Sequence, residues 1–239
     1  MPALEQTVRE IALGQPSSIR VFEQFGIDYC CGGRKPLTEA CTEKNVDYHA
    51  VVAALEKAEE VQAPKGEDWT SRSLAGLSAH IVATHHEYCK RELPRLAGLA
   101  ARVVSRHGAS RTELPMIQSK LAQLSEELTE HLAKEEIILF PHISKLERSS
   151  MEGGPTPHGC FGTVAHPVAM MVQEHDAAGA LMAEIRGLSS DFTAPEGACP
   201  TYHAFYDGLK EFEKDLHQHV HLENNILFPR AIELEASCN

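Results

Sequence analysis

The sequence predicts an all-α protein: an antiparallel four-helix bundle preceded by a small helical N-terminal domain. Three observations predict it. Four long segments repeat apolar residues at alternating steps of three and four. Strand patterns are nearly absent. Loops rich in glycine and proline separate the long segments. Residues 1–60 form the small domain. Pro16, Ser17 and Ser18 open a helix whose face is Ile19, Phe22 and Phe25, and Gly26 stops it. A turn-rich stretch follows, Asp28-Tyr-Cys-Cys-Gly-Gly33. Pro36 opens a second helix through Cys41, and Asp47 caps a third carrying Val51, Val52 and Leu55. Residues 61–69, with Pro64 and Gly66, read as a linker.

The bundle occupies residues 70–239. Helix A is expected over about 70–105, with Pro94 positioned to kink or divide it. Helix B runs over about 113–146, with Pro115 in its first turn. A Gly- and Pro-rich loop leads to helix C, about 165–188. A second such loop, Ala194–Pro200, leads to helix D, about 202–234.

The chain has 239 residues, 43% of them hydrophobic and 23% charged, which is enough to bury a real core. Its formal charge of −12 and the lack of any basic stripe argue against nucleic acid as a partner. No apolar run is long enough to span a membrane, and the N-terminus lacks the pattern of a signal peptide. A cytoplasmic location is therefore expected. There the 7 cysteines are expected to be free rather than bridged.

Helices B and D share a motif. His131-Leu-Ala-Lys-Glu135 runs on to Phe140-Pro141, and His219-Val-His-Leu-Glu223 runs on to Phe228-Pro229, with identical offsets. Each half also carries an earlier histidine followed by an acid, His86-Glu87 and His175-Asp176. The bundle therefore reads as two related helical hairpins.

Periodicity says where these groups point. In helix B the series Ile117, Leu121, Leu124, Leu128 continues as His131, Glu135, Ile138. Helix D runs Leu209, Phe212, Leu216, His219, Glu223, Ile226. Helix A runs Val82, His86, Cys89, Leu93, and helix C runs Val168, Met171, His175, Ala178. All six polar groups replace core residues. A carboxylate is costly to bury unless it is paired or coordinated. A structural imidazole–carboxylate network is one reading. A metal centre satisfies all six together, and four histidines with two carboxylates suit two iron ions better than manganese or zinc. A ferritin-like site has the reverse balance of carboxylate and imidazole. This set is suited to reversible binding or release.

His85 falls about 100° off the stripe. His217 and His221 flank His219 by two positions and are expected at the surface. Glu87, Glu130 and Asp176 sit beside the stripe, where an exposed helix face is the expected reading and acceptance from ring N–H groups the alternative. Cys30 and Cys31 are adjacent thiols followed by two glycines. They read either as ordinary half-buried cysteines or as groups that take iron, nitric oxide or a partner thiol.

The chain resembles the bacterial iron–sulfur cluster repair di-iron proteins, also called repair-of-iron-centres proteins, over nearly its whole length. The resemblance rests on Asp28–Gly33, His131–Pro141, Glu174–Gly179 and Leu222–Arg230. It implies a hemerythrin-like bundle holding a non-haem di-iron centre, oxo- or hydroxo-bridged when oxidised. Carried over by motif, the ligands are His86, His131, His175 and His219, with Glu135 and Glu223 as bridges. It also implies a stress-response role in restoring clusters damaged by nitric oxide or peroxide, and it makes Cys30 and Cys31 candidate functional thiols. The expected partners are iron–sulfur proteins or their apo forms, with nitric oxide or oxygen as small ligands. An electron donor joins them if the centre is catalytic. The chain is expected to be a monomer or weak homodimer. Iron donation, nitric oxide reduction and gas binding or sensing are the competing functions.

Overall fold

The structure, a computed structural model, describes residues 6–30, 32–60, 69–157 and 159–238. Cys31 and residues 61–68 of the expected linker lie outside the described residues.

Four short helices build the N-terminal unit: α1 (Val8–Gly14), α2 (Ser18–Phe25), α3 (Leu37–Glu43) and α4 (Tyr48–Glu60). The last three match the sequence expectation. The first was not foreseen, although Thr7 and Glu10 form a capping box that marks its start. Gly26 ends α2 at φ +65°, a left-handed conformation suited to glycine. Val8, Phe22, Leu37, Val51 and Leu55 belong to one buried cluster that holds this unit together.

The bundle has four rods. The first is α5 (Leu74–Ile81), a π-helical turn π1 (Val82–His86) and α6 (Glu87–His107). The second is α7 (Glu113–Lys134), π2 (Glu135–Leu139) and α8 (Phe140–Glu152). The third is α9 (Ala165–Leu188), unbroken. The fourth is α10 (Pro200–His221), π3 (Leu222–Leu227) and α11 (Phe228–Ser237). The start of the first rod packs on the end of the second, and its end on the second rod's start, so the two are antiparallel. The end of the first rod also packs on the start of the fourth, and the second packs on the third. Pro94 lies within α6 without dividing it, because it stands on the exposed face where water can serve the carbonyl it leaves unpaired. The break in the first rod is π1 instead.

Among the described residues the bundle interior holds two apolar clusters. One contains Leu93, Leu96, Leu121, Leu128, Met182, Phe212 and Leu216. The other contains Leu77, Ile81, Phe140, Ile143, Met171, Leu227 and Phe228. In each of the four rods the predicted polar residues lie where the residues of one cluster give way to those of the other.

Candidate metal centre

Each π turn carries or adjoins a predicted site residue. A π turn accommodates an extra residue, so neighbouring positions can both face inward. In π1 this buries His85 together with His86. The off-stripe position expected for His85 assumed an unbroken α-helix. In π2, Glu135 is followed inward by Leu139 and Phe140, while Ile138, expected on the stripe, is 48% exposed. In π3, Glu223, Asn224, Asn225 and Ile226 are all buried.

The six predicted residues meet in one layer, each between 0 and 2% exposed. They form two groups, His86, Glu135, His219, Glu223 and His131, Glu135, His175, Glu223, which share both carboxylates. Within each group one donor atom per residue lies within 4.8 Å of all the others. All four imidazoles turn Nε2 inward. His86 Nε2 lies 3.2 Å from His219 Nε2 and 3.4 Å from Glu135 Oε2. His131 Nε2 lies 3.0 Å from His175 Nε2 and 3.3 Å from Glu135 Oε2. Glu223 reaches His219 Nε2 with Oε1 at 2.9 Å and His175 Nε2 with Oε2 at 3.1 Å.

The outward nitrogens explain this orientation. His86 Nδ1 donates to Glu136 Oε1 at 2.8 Å, His131 Nδ1 to Glu174 Oε2 at 2.8 Å, and His175 Nδ1 to Asn224 Oδ1 at 2.9 Å. An Nδ1 proton leaves the Nε2 lone pair for a cation. Lys90 and Lys134 hold Glu136 and Glu174 from the solvent side. Glu87, Glu130 and Asp176 are all exposed, as the preferred reading had them, and the acceptors are instead residues the sequence reading did not name. The signal was position in the repeat. Glu136 and Asn224 each follow a core glutamate, and Glu174 precedes His175 as His85 precedes His86. His85 lies parallel to the His219 ring at 5.6 Å, and its Nδ1 bonds Asp215 at 3.0 Å.

The electrostatics call for positive charge. Burial disfavours a charged His86, but the close carboxylates of Glu135 and Glu223 outweigh it and lift its pKa to about 10. His131 rises to about 9 against the same penalty, chiefly through Glu135. Burial lowers His219. Glu135 and Glu223 are held below the ordinary carboxylate range by the imidazoles, despite burial. Both oxygens of Glu135, Oε2 of Glu223 and Nδ1 of His219 are buried without a hydrogen bond. Unsatisfied carboxylate oxygens facing converging Nε2 atoms fit a pair of bound cations, and the all-N/O donor set fits transition metals such as iron. The layer thus forms two potential metal-binding sites with shared carboxylates.

Cys30 lies outside both groups. It is 6% exposed and joins the bundle's apolar cluster rather than that of its own unit. Its N–H and thiol both donate to Asp28 Oδ1, at 2.9 and 3.3 Å, and Gly32 N–H donates to Asp28 Oδ2 at 2.9 Å. Gly33 is required by this turn, since a Cβ there would meet Tyr29 O at 2.7 Å. The turn is docked on the fourth rod, although a linker separates it in sequence from all six site residues. The Tyr29 ring lies edge-on to His217 and His221, and His221, expected at the surface, is 3% exposed beneath it. No described helix is long and apolar enough to cross a membrane.

Comparison with known proteins agrees with this arrangement. A family model described as a hemerythrin HHE cation binding domain matches residues 77–231, and one described as a domain of unknown function (DUF542) matches residues 4–59. The iron-sulfur cluster repair protein YtfE of Yersinia pseudotuberculosis serotype IB is 36% identical over 230 residues, covering 96% of this chain and 98% of its own. The protein of the same name from Yersinia pestis (strain Pestoides F) matches with the same identity and coverage.

Proposed function

Given that this chain belongs to the iron-sulfur cluster repair family built on a hemerythrin HHE cation binding domain, we propose that it is a cytoplasmic di-iron protein that supplies iron to damaged iron–sulfur clusters. The observation that carries this reading is the sharing of Glu135 and Glu223 between two four-residue groups. Two separate mononuclear sites would not need common carboxylates, whereas adjacent ions do. His86 and His219 would hold one iron and His131 and His175 the other, with both glutamates between them. Iron is the cargo here, and the oxo or hydroxo group expected when it is oxidised would lie between the same ligands.

The chain's own residues give the cargo a route to release. Glu135 and Glu223 would offset part of the charge of two bound ions in a layer from which bulk water is excluded. Glu136, Glu174 and Asn224 keep three rings oriented with Nε2 inward. The carboxylates that favour a cation also favour protons on His86 and His131. A proton reaching either Nε2 competes directly with iron. The recipients on this reading are apo forms of iron–sulfur proteins, and the damaging agents are nitric oxide and peroxide.

The test is anaerobic loading with ferrous iron followed by transfer to an apo iron–sulfur protein. Loading should approach two irons per chain, as the two groups require, and cluster formation should track iron loss. Saturation at one iron would sink the di-iron reading. Nitrous oxide formation with an electron donor, at constant bound iron, would replace donation with nitric oxide reduction. Reversible nitric oxide binding without turnover or iron loss would replace it with sensing.

A further inference from the structure

The contacts between the N-terminal unit and the bundle converge on one short stretch of the fourth rod. Arg9 Nη2 donates to the backbone carbonyl of Asn225 at 3.3 Å. Asn225 Nδ2 lies 3.0 Å from Tyr29 O and 2.9 Å from His221 Nδ1. The Tyr29 ring rests on His221 at 5.5 Å. Two to three turns back, Glu23 accepts from Gln218 Nε2 at 3.2 Å and pairs with Lys214 Nζ at 3.2 Å. Asn225 lies in π3, two residues beyond Glu223.

Pro229, four residues after Asn225, has no N–H, so the Asn225 carbonyl lacks the donor that an α-helical register would give it. The Arg9 guanidinium donates to that carbonyl from another unit of the chain. The repeat supplies an internal control. In π2 the position equivalent to Asn225 is Ile137, again four residues before a proline, Pro141. Ile137 is 74% exposed, so water can serve its carbonyl, whereas Asn225 is 6% exposed. The two glutamate-bearing turns are therefore built alike but supported differently, one by solvent and one by the N-terminal unit.

We infer that the N-terminal unit is a removable brace on the turn that carries Glu223, with Arg9 and Asn225 as positioning residues that hold this shared carboxylate in place. Docked, the unit slows loss of metal from the layer. Displaced, it frees π3 and lets both groups loosen together, because Glu223 belongs to both. A recipient protein that draws Arg9 and Glu23 away from the fourth rod would thereby prompt release. This inference rests on the proposed function only in taking Glu223 as a metal-holding group.

The test compares the full-length chain with Arg9→Ala, Arg9→Lys and Glu23→Ala, all outside the metal layer. Amide hydrogen exchange on metal-free protein reads the brace itself. Arg9→Ala should raise exchange across Leu222–Leu227 and leave Glu135–Leu139 unchanged, and Arg9→Lys should restore protection in part. In iron-loaded protein, stoichiometry should stay at the wild-type value while loss of iron to a ferrous chelator speeds up about tenfold. Glu23→Ala should act in the same direction without touching π3. Wild-type exchange in π3 and wild-type release in both alanine variants would overturn the brace. Failure of the wild-type chain to bind two irons would overturn the proposed function instead, and the exchange measurement would still decide the brace.

Discussion

Three of the four inward histidines are fixed by an acceptor on their outer nitrogen, and these acceptors are the residues through which metal affinity can be tuned. Replacing Glu174 or Glu136 by Gln should weaken iron retention about 10- to 100-fold. Glu87→Gln and Asp176→Asn, on exposed faces, should leave it unchanged; equal retention by all four variants in a chelator assay would refute the assignment. Glu135→Leu or Glu223→Leu should abolish binding at both groups, because each carboxylate is shared. The metal-free Leu variants should melt below the parent near neutral pH, since each leaves the imidazoles of the layer without a carboxylate partner. The metal-free parent should also have a characteristic pH profile. The pKa of His86 is raised from 6.5 to about 10, so its stabilising contribution is complete below about 6.5 and is lost as pH rises through about 10. His131 adds the same trend with its pKa of about 9. The depressed Glu135 and Glu223 contribute above the ordinary carboxylate value of 4.5 and lose that contribution as pH falls. Thermal melts of metal-free protein should therefore show the melting temperature falling from pH 6.5 to 10. A flat profile would contradict the pairing. Iron affinity should rise over the same interval, because binding displaces the imidazole protons.

At the scale of the element, the π turns decide which neighbours face the layer. Each adds a residue to a rod whose two ends must both present apolar faces to their own clusters. Deleting Ile137 should convert π2 to ordinary α-helix. Leu139 and Phe140 would then fall three and four positions after Glu135, a spacing an α-helix tolerates. The deletion variant should keep most of its helical content and thermal stability while losing iron stoichiometry. Iron binding at the wild-type level with a collapsed melting temperature would mean that π2 serves packing rather than the site.

At the scale of the molecule, a polar layer separates two apolar clusters, and a third cluster stabilises the N-terminal unit. Such a layer is the weak point of a metal-free bundle and the strongest point of a loaded one, because bound metal adds its binding free energy to folding. The N-terminal unit docks beside the layer, and none of its described residues belongs to either group. The double variant Cys30→Ala/Cys31→Ala should therefore retain iron and the bundle's spectrum while restoring apo iron–sulfur proteins more slowly. Repair at an unaltered rate, measured anaerobically without added thiol, would exclude thiol transfer and leave docking as the unit's role.

Sequence alone determined the four rods, the pairing of two hairpins and the six residues of the layer. Each of these depends on a period repeated over many turns, and a histidine or glutamate replacing leucine in that period stands out without coordinates. Four positions were decided only by tertiary structure: His85 turned inward, Ile138 turned outward, His221 buried beneath Tyr29, and Asn225 bound by Arg9. The first two depend on an added residue within a π turn, which leaves no trace in a pattern read at 3.6 residues per turn. The other two depend on the N-terminal unit meeting the fourth rod, where Arg9 reaches a carbonyl 216 residues away in the chain. That contact is set by how two units of the chain close against each other, and no local periodicity encodes it.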